Sequence, residues 1–159
     1  MNESSTAPLL AAHPFTRDLG EEDRQALIAL ATIRRFGPGQ LLIQEGQVAD
    51  AFFLLVEGQV AIEVFGSGGS TRTLQTVQPN SAIGWSWLVP PYRWEFDARS
   101  LTDTTTVVFA ADELRGLFAR HCSVGLHIVA KLLVVVADRL KGTRLQLLDL
   151  YAPPPAGRP

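Results

Sequence analysis

The sequence predicts a mainly β domain flanked by helices, and three observations carry the prediction. Between residues 33 and 109, short apolar runs recur at close spacing, separated by Gly-, Pro- and Asn-containing turns. That is the pattern of a rolled or sandwiched antiparallel unit. At both ends the apolar spacing changes from alternation to the three-and-four spacing of helices. Residues 83–100 (IGWSWLVPPYRWEFDARS) gather all 3 tryptophans with Tyr92, Phe96, a Pro-Pro pair and two arginines. Such a cluster either plugs a core or lines a pocket, because aromatic rings bury large areas and loops on rigid strands carry binding groups.

Composition narrows the class. A chain of 159 residues, 47% hydrophobic and 19% charged, suits one domain with a proper core. The formal net charge of −2 offers no basic field for nucleic acid. Cys122 is the single cysteine, which excludes an internal disulfide and any CxxC metal site and points to a reducing, cytoplasmic compartment. The N-terminal apolar run is short and lacks a basic flank, unlike a signal peptide. The run at 128–136 is interrupted by Lys131 and bounded by Asp138 and Arg139, so no membrane span is expected.

In chain order, residues 1–14 are rich in Ser, Ala and Pro and read as a flexible N-terminus. Residues 21–31 read as a helix with acidic residues in the first turn, Gly20 as N-cap, and Leu27, Leu30 and Ala31 on one face. GPG at 37–39 and EGQ at 45–47 bracket a short strand at 41–43. Residues 52–56 are continuously apolar, as in a strand covered on both sides. Beyond the Glu57-Gly58 break, Val60, Ile62 and Val64 alternate with Ala61, Glu63 and Phe65, and the GSGGS tip at 66–70 returns the chain into 71–77. Gln78-Pro79-Asn80 turns the chain into the tryptophan stretch, and 96–101 and 105–110 read as the last strands.

Residues 112–120 form a short helix and 124–151 a long one. In the long helix Leu126, Val129, Leu133, Val136, Leu140, Thr143, Leu147 and Leu150 repeat at alternating threes and fours, the coiled-coil template. Packing on the β unit accounts for part of this stripe. Residues 141–150 reach beyond what a small roll covers, and Leu145 and Leu148 add apolar surface there. Homodimerisation through Val129, Leu133, Val136, Leu140 and Leu147 is therefore expected. APPPAGRP at 152–159 reads as a solvated tail, leaving 15–151 as the domain.

This order of elements, GPGQLLIQEGQVADAFFLLVEGQVAIEV at 37–64, and Ile83-Gly84 together resemble the cyclic nucleotide-binding domain over residues 15–150. The resemblance implies a β-roll (jelly roll) with a short N-terminal helix and a long C-terminal dimerisation helix. Gly46 and Gly58 match the family's turn and hairpin glycines, positions that need positive φ. Ile83-Gly84 resembles the start of the phosphate-binding cassette. There the sequence departs from the family. The glutamate that accepts from the ribose falls on Trp85, and indole cannot accept in that way. The arginine that neutralises the cyclic phosphate falls on Trp94, with Arg93 one residue away. A one-residue offset turns a strand side chain to the opposite face, and a bulge in PPYRW would return Arg93 to the pocket. Arg99 is the other candidate cation, with Asp97 able to pair with either.

Residues 84–88 could keep the short cassette helix, its N–H groups facing an anion, with Ser86 adding a hydroxyl and Pro90 ending it. The candidate ligand-binding residues are thus Gly84, Trp85, Ser86, Trp87, Arg93, Trp94 and Arg99. An aromatic box with one arginine can hold a flat ligand at about 1 kcal/mol per cation–π contact.

DNA-acting members of the resembled family carry a helix-turn-helix after the long helix, and residues 152–159 are too few for one, so no direct nucleic-acid contact is expected. His121 and Cys122 diverge by about 100° on a helix and form no nucleophile–base pair. With His13 and His127 they give no metal-ligand spacing, and Glu45, Asp50, Glu57 and Glu63 show no partner. No nucleophile elbow, phosphate loop or dinucleotide fingerprint is present, so no enzyme, metal or resident cofactor is expected. Two readings stand. One is a sensor module taking a cyclic nucleotide or other small anionic ligand in a non-standard pocket. The other is a ligand-free dimeric module, its pocket filled by its own tryptophans, docking on a larger protein. The first is preferred.

Overall fold

The computed structural model describes residues 3–66 and 69–151; residues 1–2, the tip residues Ser67 and Gly68, the tail at 152–159 and the side chains of Glu3, Ser4, Asp149 and Leu150 lie outside the described residues. Eight strands follow in order: β1 (Thr32–Phe36), β2 (Leu41–Ile43), β3 (Ala51–Glu57), β4 (Val60–Phe65), β5 (Thr71–Val77), β6 (Ser81–Ile83), β7 (Asp97–Ser100) and β8 (Thr104–Ala110). Helices α1 (Glu3–Ala12) and α2 (Glu21–Ile28) precede them, and α3 (Ala111–Arg120) and α4 (Cys122–Tyr151) follow. The mainly β prediction with a long C-terminal helix holds.

The strands form two four-stranded antiparallel sheets, ordered β1-β8-β3-β6 and β2-β7-β4-β5. β3 is paired on both edges, and its first five residues are buried, as its continuous apolar run requires. Phe52, Leu54 and Leu55 from the first sheet and Val60, Ile62 and Ala98 from the second join one core. Gly58 turns β3 into β4 with φ of 89°, and a Cβ there would stand 2.4 Å from the Asp103 carbonyl oxygen. Both the dihedral and the contact demand glycine.

The N-terminus corrects the sequence reading. Residues 3–12 form a helix, and Leu10 is fully buried with Phe15 in the core. The following turn is held by Thr16 Oγ1 donating to the Leu10 carbonyl. His13 Nε2–H donates to the Leu55 carbonyl at 3.2 Å, while its Nδ1 accepts the Phe15 N–H at 3.2 Å. One leucine and one histidine anchor a stretch whose composition alone suggests solvent. α2 starts at Glu21 behind Gly20 as N-cap, as expected, but ends at Ile28, with Ala31 buried in the turn beyond.

α4 begins against the roll and then leaves it. Val124, Ile128 and Leu132 are buried, and Gly125 lets α3 approach: a Cβ there would lie 3.1 Å from Phe118. Lys131 Nζ pairs with Asp18 at 3.0 Å, and His127 Nε2–H donates to the Phe15 carbonyl at 3.0 Å, tying α4 to the N-terminal segment. At 30 residues α4 is about 45 Å long. Leu133, Leu140 and Leu147 are 66%, 49% and 49% exposed, on the face the heptad spacing singled out.

Candidate functional site

The tryptophans divide between plug and pocket. Trp87 is fully buried, its ring centroid 5.2 Å from Phe52 and 5.9 Å from Phe118. Trp94 is buried over Gly84, whose φ is 78°; a Cβ on Gly84 would meet the Trp94 ring at 2.6 Å. Hydrogen bonds from Gly46 N–H to the Trp94 carbonyl (2.8 Å) and from Trp94 N–H to the Gln47 carbonyl (2.9 Å) fix that ring. Trp85 differs: it is half-buried, edge-on to Phe96 at 6.3 Å, and faces a cleft.

Residues 84–88 do not form the expected short helix. They make tight turns, with Leu88 N–H donating to the Trp85 carbonyl at 2.9 Å and Val89 N–H to the Ser86 carbonyl at 3.3 Å. Ser86 is buried. From α3, Arg115 pins this connection by donating to the Trp87 carbonyl and stacking 5.2 Å over the Tyr92 ring.

Neither candidate arginine reaches the cleft. Arg93 is exposed and donates to the Gly46 carbonyl at 2.8 Å, in an isolated bridge with Val48. Arg99 lies on β7, where Nε pairs with Glu63 at 3.0 Å and Nη1 donates to the Gly39 carbonyl at 2.9 Å. Asp97 is taken as well, its Oδ1 accepting the Glu45 N–H at 2.7 Å. The bulge that would have turned Arg93 inward is not used.

The cleft has a volume of about 870 Å³ and runs between β5, the Trp85–Phe96 pair and the middle of α4. Ile62, Leu74 and Phe96 give it an apolar floor, and Gln75, Gln78 and Gln146 give it amides. Of the candidate ligand residues, Trp85 alone lines it. Among the described residues its one lining cation is Arg139, which sequence reading missed. The guanidinium carbon lies 4.8 Å over the Trp85 ring, Nη2 donates to the Ala82 carbonyl at 3.3 Å, and burial lowers its pKa by desolvation. A signal for it exists. Val124, Ile128, Leu132, Val135 and Arg139 recur at fours and threes, so the inward stripe continues into Arg139, Gly142 and Gln146 beneath the cleft.

Among the described residues no group of three His, Cys, Asp or Glu side chains could hold a metal ion. No helix among them is long and apolar enough to cross a membrane.

Comparison with known proteins agrees with the architecture. The chain is 29% identical over 103 residues to the transcriptional activatory protein AadR of Rhodopseudomonas palustris, covering 65% of this chain but only 40% of that protein. A cyclic nucleotide-binding domain from Methylobacillus flagellatus superposes with a TM-score of 0.79 at 16% identity, covering 98% of this chain and 89% of that one. The regulatory subunit of a cAMP-independent protein kinase A from Trypanosoma cruzi, bound to guanosine, superposes with a TM-score of 0.72 at 18% identity, covering 96% and 53%. Residues 33–121, more than half of the chain, match the family model for the cyclic nucleotide-binding domain. With the double sheet, the positive-φ glycines and the long terminal helix in place, the chain belongs to the cyclic nucleotide-binding domain family.

Proposed function

We propose that this chain is a ligand-responsive regulatory module. It takes a nucleotide-like or other small anionic ligand in the cleft beside Trp85 and self-associates through the outward face of α4. The observation that carries this reading is the ownership of the cleft walls: one belongs to β5 and the Trp85–Phe96 pair, the other to α4. A ligand touching both links its own binding to the position of the helix. The volume of about 870 Å³ lies within the range of small-molecule sites. The Trypanosoma cruzi relative bound to guanosine supports a nucleoside-sized occupant for this fold. The exposed stripe of Val129, Leu133, Leu140 and Leu147 supports a two-helix seam in which each copy covers the other.

The test is tryptophan fluorescence of ligand-free protein titrated with cyclic nucleotides and nucleosides, beside Trp85→Phe. A saturable change that disappears in Trp85→Phe supports the reading, since Trp87 and Trp94 are buried away from the cleft. No response to any compound refutes it. The ligand-free interaction module would then take its place, a reading that the burial of Trp87 and Trp94 favours.

A further inference from the structure

The cations near the tryptophan connection are engaged: Arg99 by Glu63 and Gly39, Arg93 by Gly46, Arg115 by Asp112 and the Trp87 carbonyl. Arg139 is not. It stacks on Trp85, and the protein acceptor it finds among the described residues is the Ala82 carbonyl. Its Nε is buried with no hydrogen-bond partner. No carboxylate among the described residues lies within 4.0 Å of it, and the neighbouring Asp138 is exposed. A guanidinium offers five N–H donors, and one held out of water without a counter-ion is unfavourable until an anion arrives.

Resting on the reading above, we infer that Arg139 of α4 receives the negatively charged group of the ligand. The cassette cation is thus replaced by one from the helix. The ligand class is a flat ring carrying a single negative charge, such as a nucleoside cyclic phosphodiester. The ring lies on the Ile62, Leu74 and Phe96 floor and the anion turns toward Arg139. One cation matches one charge, and the exposed carboxylates Glu95 and Asp138 at the cleft disfavour a doubly charged phosphate monoester. Because Arg139 rides on α4, the anion clasps the helix directly to the roll. Departure of the ligand leaves Arg139, among the described residues, with the Trp85 stack and the Ala82 hydrogen bond.

The experiment is calorimetric titration of the full chain, freed of carried-over ligand, with cAMP, adenosine, cGMP, guanosine and AMP. Wild type, Arg139→Gln and Arg139→Lys are compared. Wild type is expected to prefer at least one cyclic nucleotide over its own nucleoside by about tenfold or more, and over AMP, as a charge-assisted contact would give. Arg139→Gln is expected to bring that preference to within about threefold, and Arg139→Lys to keep part of it. The preference is a ratio within one protein, so a partly unfolded sample cannot imitate its loss. Equal binding of nucleoside and cyclic nucleotide by wild type, or a preference kept in Arg139→Gln, overturns the role of Arg139 while the cleft still binds. Failure of wild type to bind any of the five compounds overturns the ligand-binding reading and this inference together.

Discussion

Gly84→Ala tests the packing that divides plug from pocket. Gly84 sits at φ of 78°, and an added Cβ would stand 2.6 Å from Trp94 Cζ3, 2.9 Å from Cη2 and 3.4 Å from Ile43 Cδ1. An L residue in the left-handed region costs about 1–2 kcal/mol. Forcing a methyl into a buried ring adds about 1–3 kcal/mol, so the expected loss is roughly 2–5 kcal/mol. The control is Gly46→Ala: φ is 80°, but no atom lies within 4 Å of the added Cβ. Only the backbone part, about 1–2 kcal/mol, remains there. Urea denaturation followed by far-UV circular dichroism reads both, and a 3 kcal/mol loss at a slope near 2 kcal/mol/M moves the midpoint by about 1.5 M. Trp94→Phe removes the two offending ring atoms, so a double-mutant cycle with Gly84→Ala should return a favourable coupling of about 1 kcal/mol or more. Equal losses for Gly84→Ala and Gly46→Ala, with a coupling near zero, would refute the argument that Trp94 is wedged on the Gly84 backbone.

Charged substitutions at Leu140 and Leu147, each 49% exposed in the single chain, should leave the fold intact and shift the protein toward monomer in analytical ultracentrifugation. An unchanged sedimentation coefficient would overturn the α4 seam. Arg93→Ala should leave ligand affinity within about twofold of wild type, because the guanidinium is bound to the Gly46 carbonyl and lies outside the cleft; a loss of about tenfold would show that Arg93 swings in. Burial, partly offset by the hydrogen bond to Leu55, holds His13 below its ordinary value of 6.5. As pH falls through 6.5 the unfolded chain takes up the proton first, and stability drops by up to about 1.4 kcal/mol per pH unit until the lower folded pKa is reached. Urea midpoints at pH 7.5 and 5.5 should show this drop, and His13→Gln should remove most of the difference.

The sequence by itself determined the mainly β class with flanking helices, because alternation, continuous apolar runs and glycine turns are local properties; the division of the strands into two sheets came from their pairing. Gly46 and Gly58 were legible as positive-φ positions through the resemblance of residues 37–64 to the family, and have φ of 80° and 89°. The outward stripe of α4 was legible because helical spacing assigns residues to faces. Tertiary structure alone decided the rest. Leu10 and His13 convert a composition that suggests a loose tail into a packed helix and turn, since burial depends on what lies across the core. Which tryptophan plugs and which lines the cleft follows from Trp94 resting on Gly84 and Trp87 reaching Phe52, contacts between residues far apart or on opposite sides of a turn. Arg93 and Arg99 look alike in sequence, yet carbonyls and a carboxylate from distant strands claim both. Arg139, 54 positions beyond Trp85, comes to lie over that ring only because α4 packs as the cleft wall facing β5 and Trp85. Spacing along a chain assigns a side chain to a face; what stands opposite that face is set when the elements pack.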